Sequence, residues 1–540
     1  MARVNCKWLW VACLVIGCGE ADIIDPGAAV GGVGDPVQGK ADASIDAVFL
    51  DFEFEGEFLA SSAWRPEQQI EDQLLYTIGQ LNGDNSLGRI DQVALTDVET
   101  EELQEGVLIR YHARLPVAWG RPNAVPSVYK LQLPRDMSRD AQAAFTEKYG
   151  HTCVDYAAHD VDVSSIWYYY RPARNGCDIA EGDVVVMEAT VTNSTIHTTG
   201  KFPEYHKVWE DGTLEVLAIF GKFEHGATSS SDAGIRAYGE YVSSVQARLA
   251  PYEVQTTPSD LANKPGLEQP DATIEATLPD GRQVRVVVLL VDGVRSEGAA
   301  FDERYESLST TADLIAYNGH SGLGANIRAL ANKGSWQAGQ YVLVFMNGCD
   351  TYAYVDSALA DAHIAVNPDD PEGTKYLDII TNAMPAPATF GPSNTMALTE
   401  ALLEYETPST YEMIFRRFNR SQVVLVSGEQ DNVYYEGFEA GVTPAAWAGL
   451  SESGQVSAGQ EVRLETPQLP AGDIRIQLSG TGDADLYVRV NEAPTTEVFD
   501  CRPYLVGSTE ECTVTLEAPG SLHVLIRGYE ALSDWTLAIH

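Results

Sequence analysis

Positive charge is what this chain most lacks. Lys and Arg together number 35 against 78 Asp and Glu, a formal net charge of −43. A surface so negative repels phosphate backbones, which sets nucleic acid aside as a partner. Long apolar runs are also missing. The longest, Trp8 to Gly17, is too short to span a bilayer, so no spanning helix is expected. Cysteine is sparse, at eight in 540 residues. That excludes a fold stapled throughout by disulfides, and it makes each cysteine individually informative. With 44% hydrophobic residues the chain is rich enough to build several buried cores, and its length suits three or four domains.

What is present begins with Arg3 and Lys7 ahead of the apolar run, the pattern of a signal peptide over residues 1–17. Val15 to Cys18 (VIGC) resembles a bacterial lipobox. That resemblance implies lipidation of Cys18 and a protein held in the cell envelope by its lipid alone, at the outer membrane of a Gram-negative bacterium. Residues 18–44, rich in Gly, Ala, Asp and Pro, read as a flexible tether. Cys6 and Cys13 leave with the signal. Cys153 and Cys177 flank one short excursion, Cys501 and Cys512 another, so each pair is a candidate disulfide. Cys349 is then the odd cysteine, either a reactive thiol or a buried inert one.

Three structural regions are expected. Residues 45–250 mix alternating strands such as AVFLDFEFEGEFLA with helical stretches, an α+β region of one or two domains. Its aromatic run Trp167 to Tyr170 is assigned to packing. His151 and His159 beside Cys153 lack the spacing of a zinc site. Residues 251–271 carry repeated Pro and polar residues and read as a linker. In 272–450 strands alternate with helices, giving an α/β domain with a mainly parallel sheet and flanking helices. Residues 457–540 hold only short strands and turns, a β-sandwich.

Within the α/β region, AYNGHS ends one apolar strand and FMNGCD the next. His320 and Cys349 therefore both fall where open sheets place their ligands, one crossover apart. An imidazole beside a thiol can take its proton and later protonate a leaving group. Gly319, Gly322 and Gly348 leave backbone N–H groups open to an oxyanion. Strand–His–Gly, crossover, strand–small residue–Cys over about Thr273 to Gly428 resembles the caspase-like cysteine peptidases. That family implies His320 as general acid/base, Cys349 as nucleophile and a peptide or protein substrate. The pattern departs from the family in Ser321, which stands between His320 and Gly322, and Asp350 places a carboxylate beside the cysteine. GDADLY (Gly482 to Tyr487), Cys501 to Tyr504, Glu511-Cys512 and Gly528-Tyr529 resemble the bacterial pre-peptidase C-terminal domain. This implies a Cys501–Cys512 disulfide and an exported protein of the kind that includes peptidases.

The function expected from these readings is a membrane-tethered caspase-like cysteine peptidase using a His320–Cys349 dyad. The alternative is a non-catalytic surface lipoprotein that binds a protein or polysaccharide through its β-rich domains. No cofactor or metal is called for. Calcium is the one ion with candidate ligands, at Asp483 and Asp485 and in the acidic turn Asn367 to Gly373, where turn capping is the simpler role.

Overall fold

The computed structural model describes residues 42–539 apart from 105, 159–160, 195–196, 356, 436, 439–448, 468, 470–471 and 517–519. The expected signal peptide, the lipidation of Cys18 and most of the tether lie outside the described residues, as does His159. The chain divides into two compact units, one of residues up to 199 with 207–431, the other of 200–206 with 432–540.

The larger unit contains two sheets. Strand β1 (Asp42–Ser44), the first of the described residues, belongs to the second sheet. The first sheet takes β2 (Val48–Ala60), β3 (Ser86–Gly88), β4 (Ala94–Leu103), β5 (Gly106–Trp119), β6 (Val128–Pro134) and β7 (Val184–Asn193), all its neighbours antiparallel. Period-two alternation decides which face is buried. Phe52, Phe54 and Phe58 of β2 and Ile109, Tyr111, Ala113 and Leu115 of β5 go inward. Glu53, Arg110 and Arg114 form ion pairs across neighbouring strands with His112, Glu101 and Asp51 respectively. Helix α1 (Pro66–Asn82) covers the apolar face with Ile70, Leu74, Ile78 and Leu81. The aromatic run becomes a short helix, α2 (Ile166–Tyr169), with all four residues buried. It crosses α1 at Gly79, where an added Cβ would lie 2.4 Å from the Trp167 carbonyl oxygen. We therefore expect Gly79→Ala to lower the midpoint of urea unfolding by an amount typical of overpacking, about 1–3 kcal/mol in stability.

The second sheet runs, in chain order, through β8 (Thr213–Gly221), β9 (Glu253–Thr257), β10 (Asp271–Thr277), β11 (Gln283–Val291), β12 (Leu314–Asn318), β13 (Val342–Asn347), β14 (Leu377–Asn382) and β15 (Val424–Ser427). Its spatial order is β1-β15-β14-β13-β12-β8-β11-β10-β9. The five strands from β11 across β8, β12 and β13 to β14 are parallel, and both flanks are antiparallel, so the sheet is mixed. The central strands are buried on both faces, which explains their unbroken apolar text. Helices α3 (Ala233–Leu249), α4 (Ala299–Ser309), α5 (Ala325–Lys333) and α6 (Gly391–Leu403) supply much of the cover.

Two sequence boundaries move. Strand β8 and helix α3, placed by sequence in the N-terminal region, belong to the nine-stranded sheet, with β8 between β12 and β11. The segment 251–271 is not a linker: β9 lies inside it and pairs with β10. Asp42–Ser44, at the end of the expected tether, pairs with β15.

The smaller unit packs β16 (Leu450–Val456), β18 (Gly472–Thr481), β20 (Glu510–Leu516) and β22 (Ser533–Ile539) against β17 (Glu461–Glu465), β19 (Ala484–Val490) and β21 (Leu522–Gly528), two antiparallel sheets around one apolar core. Disulfides join Cys153 to Cys177 in the larger unit and Cys501 to Cys512 in the smaller.

Candidate functional site

Strands β8, β12 and β13 end in register, with Phe220 beside Asn318 and Asn318 beside Asn347. Parallel strands that stop together leave their following loops at one edge, and a small pocket lies there, with a volume of roughly 30 Å³ and open to solvent. It is lined by the end of β8 and its loop (Phe220 to Phe223), the end of β12 and its loop (Asn318 to His320), Asn347 at the end of β13 with Cys349 after it, and Ala386 to Ala388 ahead of α6.

The two loops singled out by sequence meet closely. An added Cβ at Gly348 would lie 2.9 Å from the Gly319 carbonyl oxygen and 3.3 Å from the Ser321 nitrogen. Gly348 is thus required by the approach of the β13 loop to the β12 loop. Gly322 has φ 58°, a left-handed conformation open to glycine, and turns the chain into α5. The loop is further pinned by Tyr317 Oη and Asn326 Nδ2, which both donate to the His320 carbonyl at 2.8 and 2.9 Å. The His320 Nε2 lies 2.9 Å from the Phe223 carbonyl, and a carbonyl only accepts, so Nε2 carries the proton.

Cys349 lies outside both disulfides and is only 5% exposed, packed with the apolar core beneath the sheet edge. Its neighbour Asp350 sits in the left-handed region at φ 51° and is buried. Its carboxylate does not face the thiol side of the loop alone: it accepts from Asn82 Nδ2 of α1 and Tyr168 Oη of α2, each at 2.6 Å. Burial pushes the Asp350 carboxyl up to about 7, while the Tyr168 hydroxyl, the Arg171 guanidinium and Asn82 pull it back and Asp155 adds to the rise. The aromatic run and the end of α1 thereby hold the loop that carries Cys349, a role beyond the packing that its sequence suggested.

Other candidates resolve as structure. Asp485 pairs with Arg502 at 3.0 Å, and Asp483 accepts from the Gly507 amide at 2.9 Å. In the turn Asn367 to Gly373, Asp370 caps the Gly373 and Thr374 amides. Among the described residues no cluster of three or more His, Cys, Asp or Glu side chains could hold a metal ion. Sequence reading missed Phe223, which orients His320, and the strand-end asparagines Asn318, Asn347 and Asn382. These asparagines end their strands and are buried.

The smaller unit is a disulfide-closed β-sandwich module. Residues 453–528 match the model of the bacterial pre-peptidase C-terminal domain, and this part of the chain is such a domain. The similar proteins are matched over short stretches. The neutral protease of Vibrio proteolyticus is 48% identical over 58 residues, 11% of this chain and 10% of that protein. The zinc metalloprotease of Helicobacter pylori is 43% identical over 70 residues, 13% of this chain and 27% of that protein. The alkaline serine exoprotease A of Vibrio alginolyticus is 38% identical over 88 residues, 16% of each. This chain thus spans between about a tenth and about a quarter of these relatives. A solution structure titled vEP C-ter 100 is 37% identical, with 16% of this chain and 88% of that chain covered at a TM-score of 0.15.

These relatives correct the expected function. The proteins that share the module are named as zinc, neutral and serine proteases, and they give no support to a caspase-like His–Cys peptidase or to a lipoprotein. Cys349 packs with the apolar core on one side and lines the cavity with His320 on the other.

Proposed function

We propose that this is an exported protein that takes a peptide or protein as its ligand, bound in the cavity at the carboxyl edge of the nine-stranded sheet. The observation that carries the reading is the cavity itself. It joins an apolar wall (Phe220, Phe223, Pro387) to convergent polar groups (Asn318, His320, Asn347), the mixture expected of a site for a chain of amides and side chains. The C-terminal domain, shared with secreted proteases, favours export and a peptide ligand, and two disulfides suit an oxidising compartment. His320, Cys349, Gly319, Gly322 and Gly348 are in this reading residues that build and line the cavity. The reading concerns recognition, and it assigns no nucleophile.

The test is saturable binding of fluorescein-labelled, unfolded casein, followed by anisotropy. Gly348→Val pushes the β13 loop off the β12 loop and should weaken binding by roughly tenfold or more, on the scale that a displaced loop imposes on a built site. Absence of binding, or binding that Gly348→Val leaves unchanged in a folded variant, would sink the reading.

A further inference from the structure

Three neighbouring parallel strands, β12, β13 and β14, each end in a buried asparagine. Asn318 is 6% exposed, Asn347 4% and Asn382 not at all. Their side chains form a ladder across the sheet edge. Asn382 Nδ2 donates to Asn347 Oδ1 at 2.9 Å, and Asn347 Nδ2 donates to Asn318 Oδ1 at 2.7 Å.

The direction of this ladder is set at its Asn382 end. Asn382 Nδ2 also faces the Gly348 carbonyl at 3.3 Å. Reversal would turn the Asn382 oxygen onto that carbonyl, two acceptors with no proton between them. At the other end Thr395 Oγ1 of α6 donates to Asn318 Oδ1 at 3.0 Å. With its oxygen engaged twice, Asn318 is left with Nδ2 buried and without a hydrogen-bond partner. The far end leaves Asn382 Oδ1 likewise unpartnered, but Asn382 does not line the cavity, whereas Asn318 and Asn347 do. Because Oδ1 of Asn318 faces Asn347, the Nδ2 arm of the same planar amide is directed away from β13. On that side β12 pairs with β8, whose end, Phe220 and Gly221, forms the cavity wall. Gly391 of α6 packs against the other arm, since a Cβ there would come within 2.9 Å of Asn318 Oδ1.

Buried donors are nearly always paired, and leaving one unmade costs stability. A ladder that hands its unmet donor to a cavity edge is arranged for an acceptor that arrives later. We propose that Asn318 Nδ2 is the donor that receives a backbone carbonyl oxygen of the bound peptide. This rests on the peptide-binding reading above and specifies one contact in it.

The experiment uses the full chain with asparagine-selective ¹⁵N labelling and N-acetyl-trialanine amide as the probe. The Asn318 side-chain signal is identified by its loss in Asn318→Leu and in Asn318→Asp, the latter keeping the acceptor arm toward Asn347 and Thr395. Thr395→Val, which removes a partner of the same amide, identifies it independently should both variants fold poorly. The expected result is that this signal moves on titration and that both Asn318 variants bind the probe roughly three- to tenfold more weakly, the range for one neutral hydrogen bond. If the probe shifts the Asn347 signal while that of Asn318 stays fixed, the contact is wrong and the peptide reading stands. If a high-resolution structure of the complex shows a retained water on Nδ2, the contact is likewise wrong. If no cavity signal moves at any probe concentration, the peptide reading falls and this inference with it.

Discussion

Asp350→Asn should be more stable than the native protein at pH 8 and lose most of that advantage by pH 4. The carboxyl of Asp350 is raised by burial from 3.8 to about 7. For a raised acid the protonated form is the one the fold prefers. Its contribution is complete below the unfolded value near 4 and is lost as the pH climbs through the folded value near 7. Three pH units correspond to roughly 4 kcal/mol above pH 7, an order-of-magnitude figure. The groups facing Asp350 come from several elements: Asn82 from α1, Tyr168 from α2, and Arg171 and Asp155 from the flanking loops. Asparagine fits this setting. It accepts from Asn82, gives its own N–H to the Tyr168 hydroxyl, and tolerates the left-handed backbone at φ 51°. Glu71, also raised to about 7 by burial, contributes a slope of the same sign to both proteins, so the difference between them isolates Asp350. Urea unfolding at pH 4, 6 and 8 reads this directly. Parallel stability profiles for the two proteins would show that the carboxylate is fully compensated by Arg171 and its hydrogen bonds.

That carboxyl also marks the limit of what the sequence made legible. The apolar strands of the mixed sheet, the helices between them and the β-rich C-terminus could be read from periodicity, because burial on one face or two writes itself into residue pattern. The membership of the sheet could not. β9 (EVQTT) is an edge strand with little buried surface, so it reads like the polar linker around it. β8 is separated from β11 by the β9–β10 excursion, and no local signal says that β11 returns beside it in parallel. At the site, the shared edge of the His320 and Cys349 loops followed from strand–helix alternation. Their chemistry did not, because it turns on burial: Cys349 and Asp350 look like a nucleophile and a charge in sequence, and are packed core and a held carboxyl in the fold. The asparagine ladder was hidden for a similar reason. Asn before Gly reads as a turn, and only the register of three strands shows that the side chains meet.

Asp91→Asn should be strongly destabilising, although the Asp91 side chain is itself partly exposed. Its partner Arg89 is completely buried and is gripped by the Asp91 carboxylate in a fork, Nε to Oδ1 at 2.7 Å and Nη2 to Oδ2 at 2.6 Å. The same guanidinium donates to Ser427 Oγ at the end of β15 at 3.3 Å and lies 5.0 Å from the ring centre of Tyr352, three residues past Cys349. Arg89 thus ties the six-stranded sheet to the nine-stranded one and to the loop that walls the cavity. An amide at position 91 cannot balance the charge, and a guanidinium cannot shed its proton, so the buried charge loses the carboxylate that grips it. Removing one partner of such a pair costs about 3–5 kcal/mol, and replacing both by apolar groups of similar size recovers most of it. Urea unfolding should therefore rank the native protein and Arg89→Met/Asp91→Asn close together, with Asp91→Asn well below both. Because Tyr352 leans on the same guanidinium, Asp91→Asn should also speed modification of the buried Cys349 thiol by a thiol reagent, and the double variant should slow it again. A loss under about 1 kcal/mol in Asp91→Asn would mean that Ser427 and Tyr352 hold the guanidinium without its carboxylate.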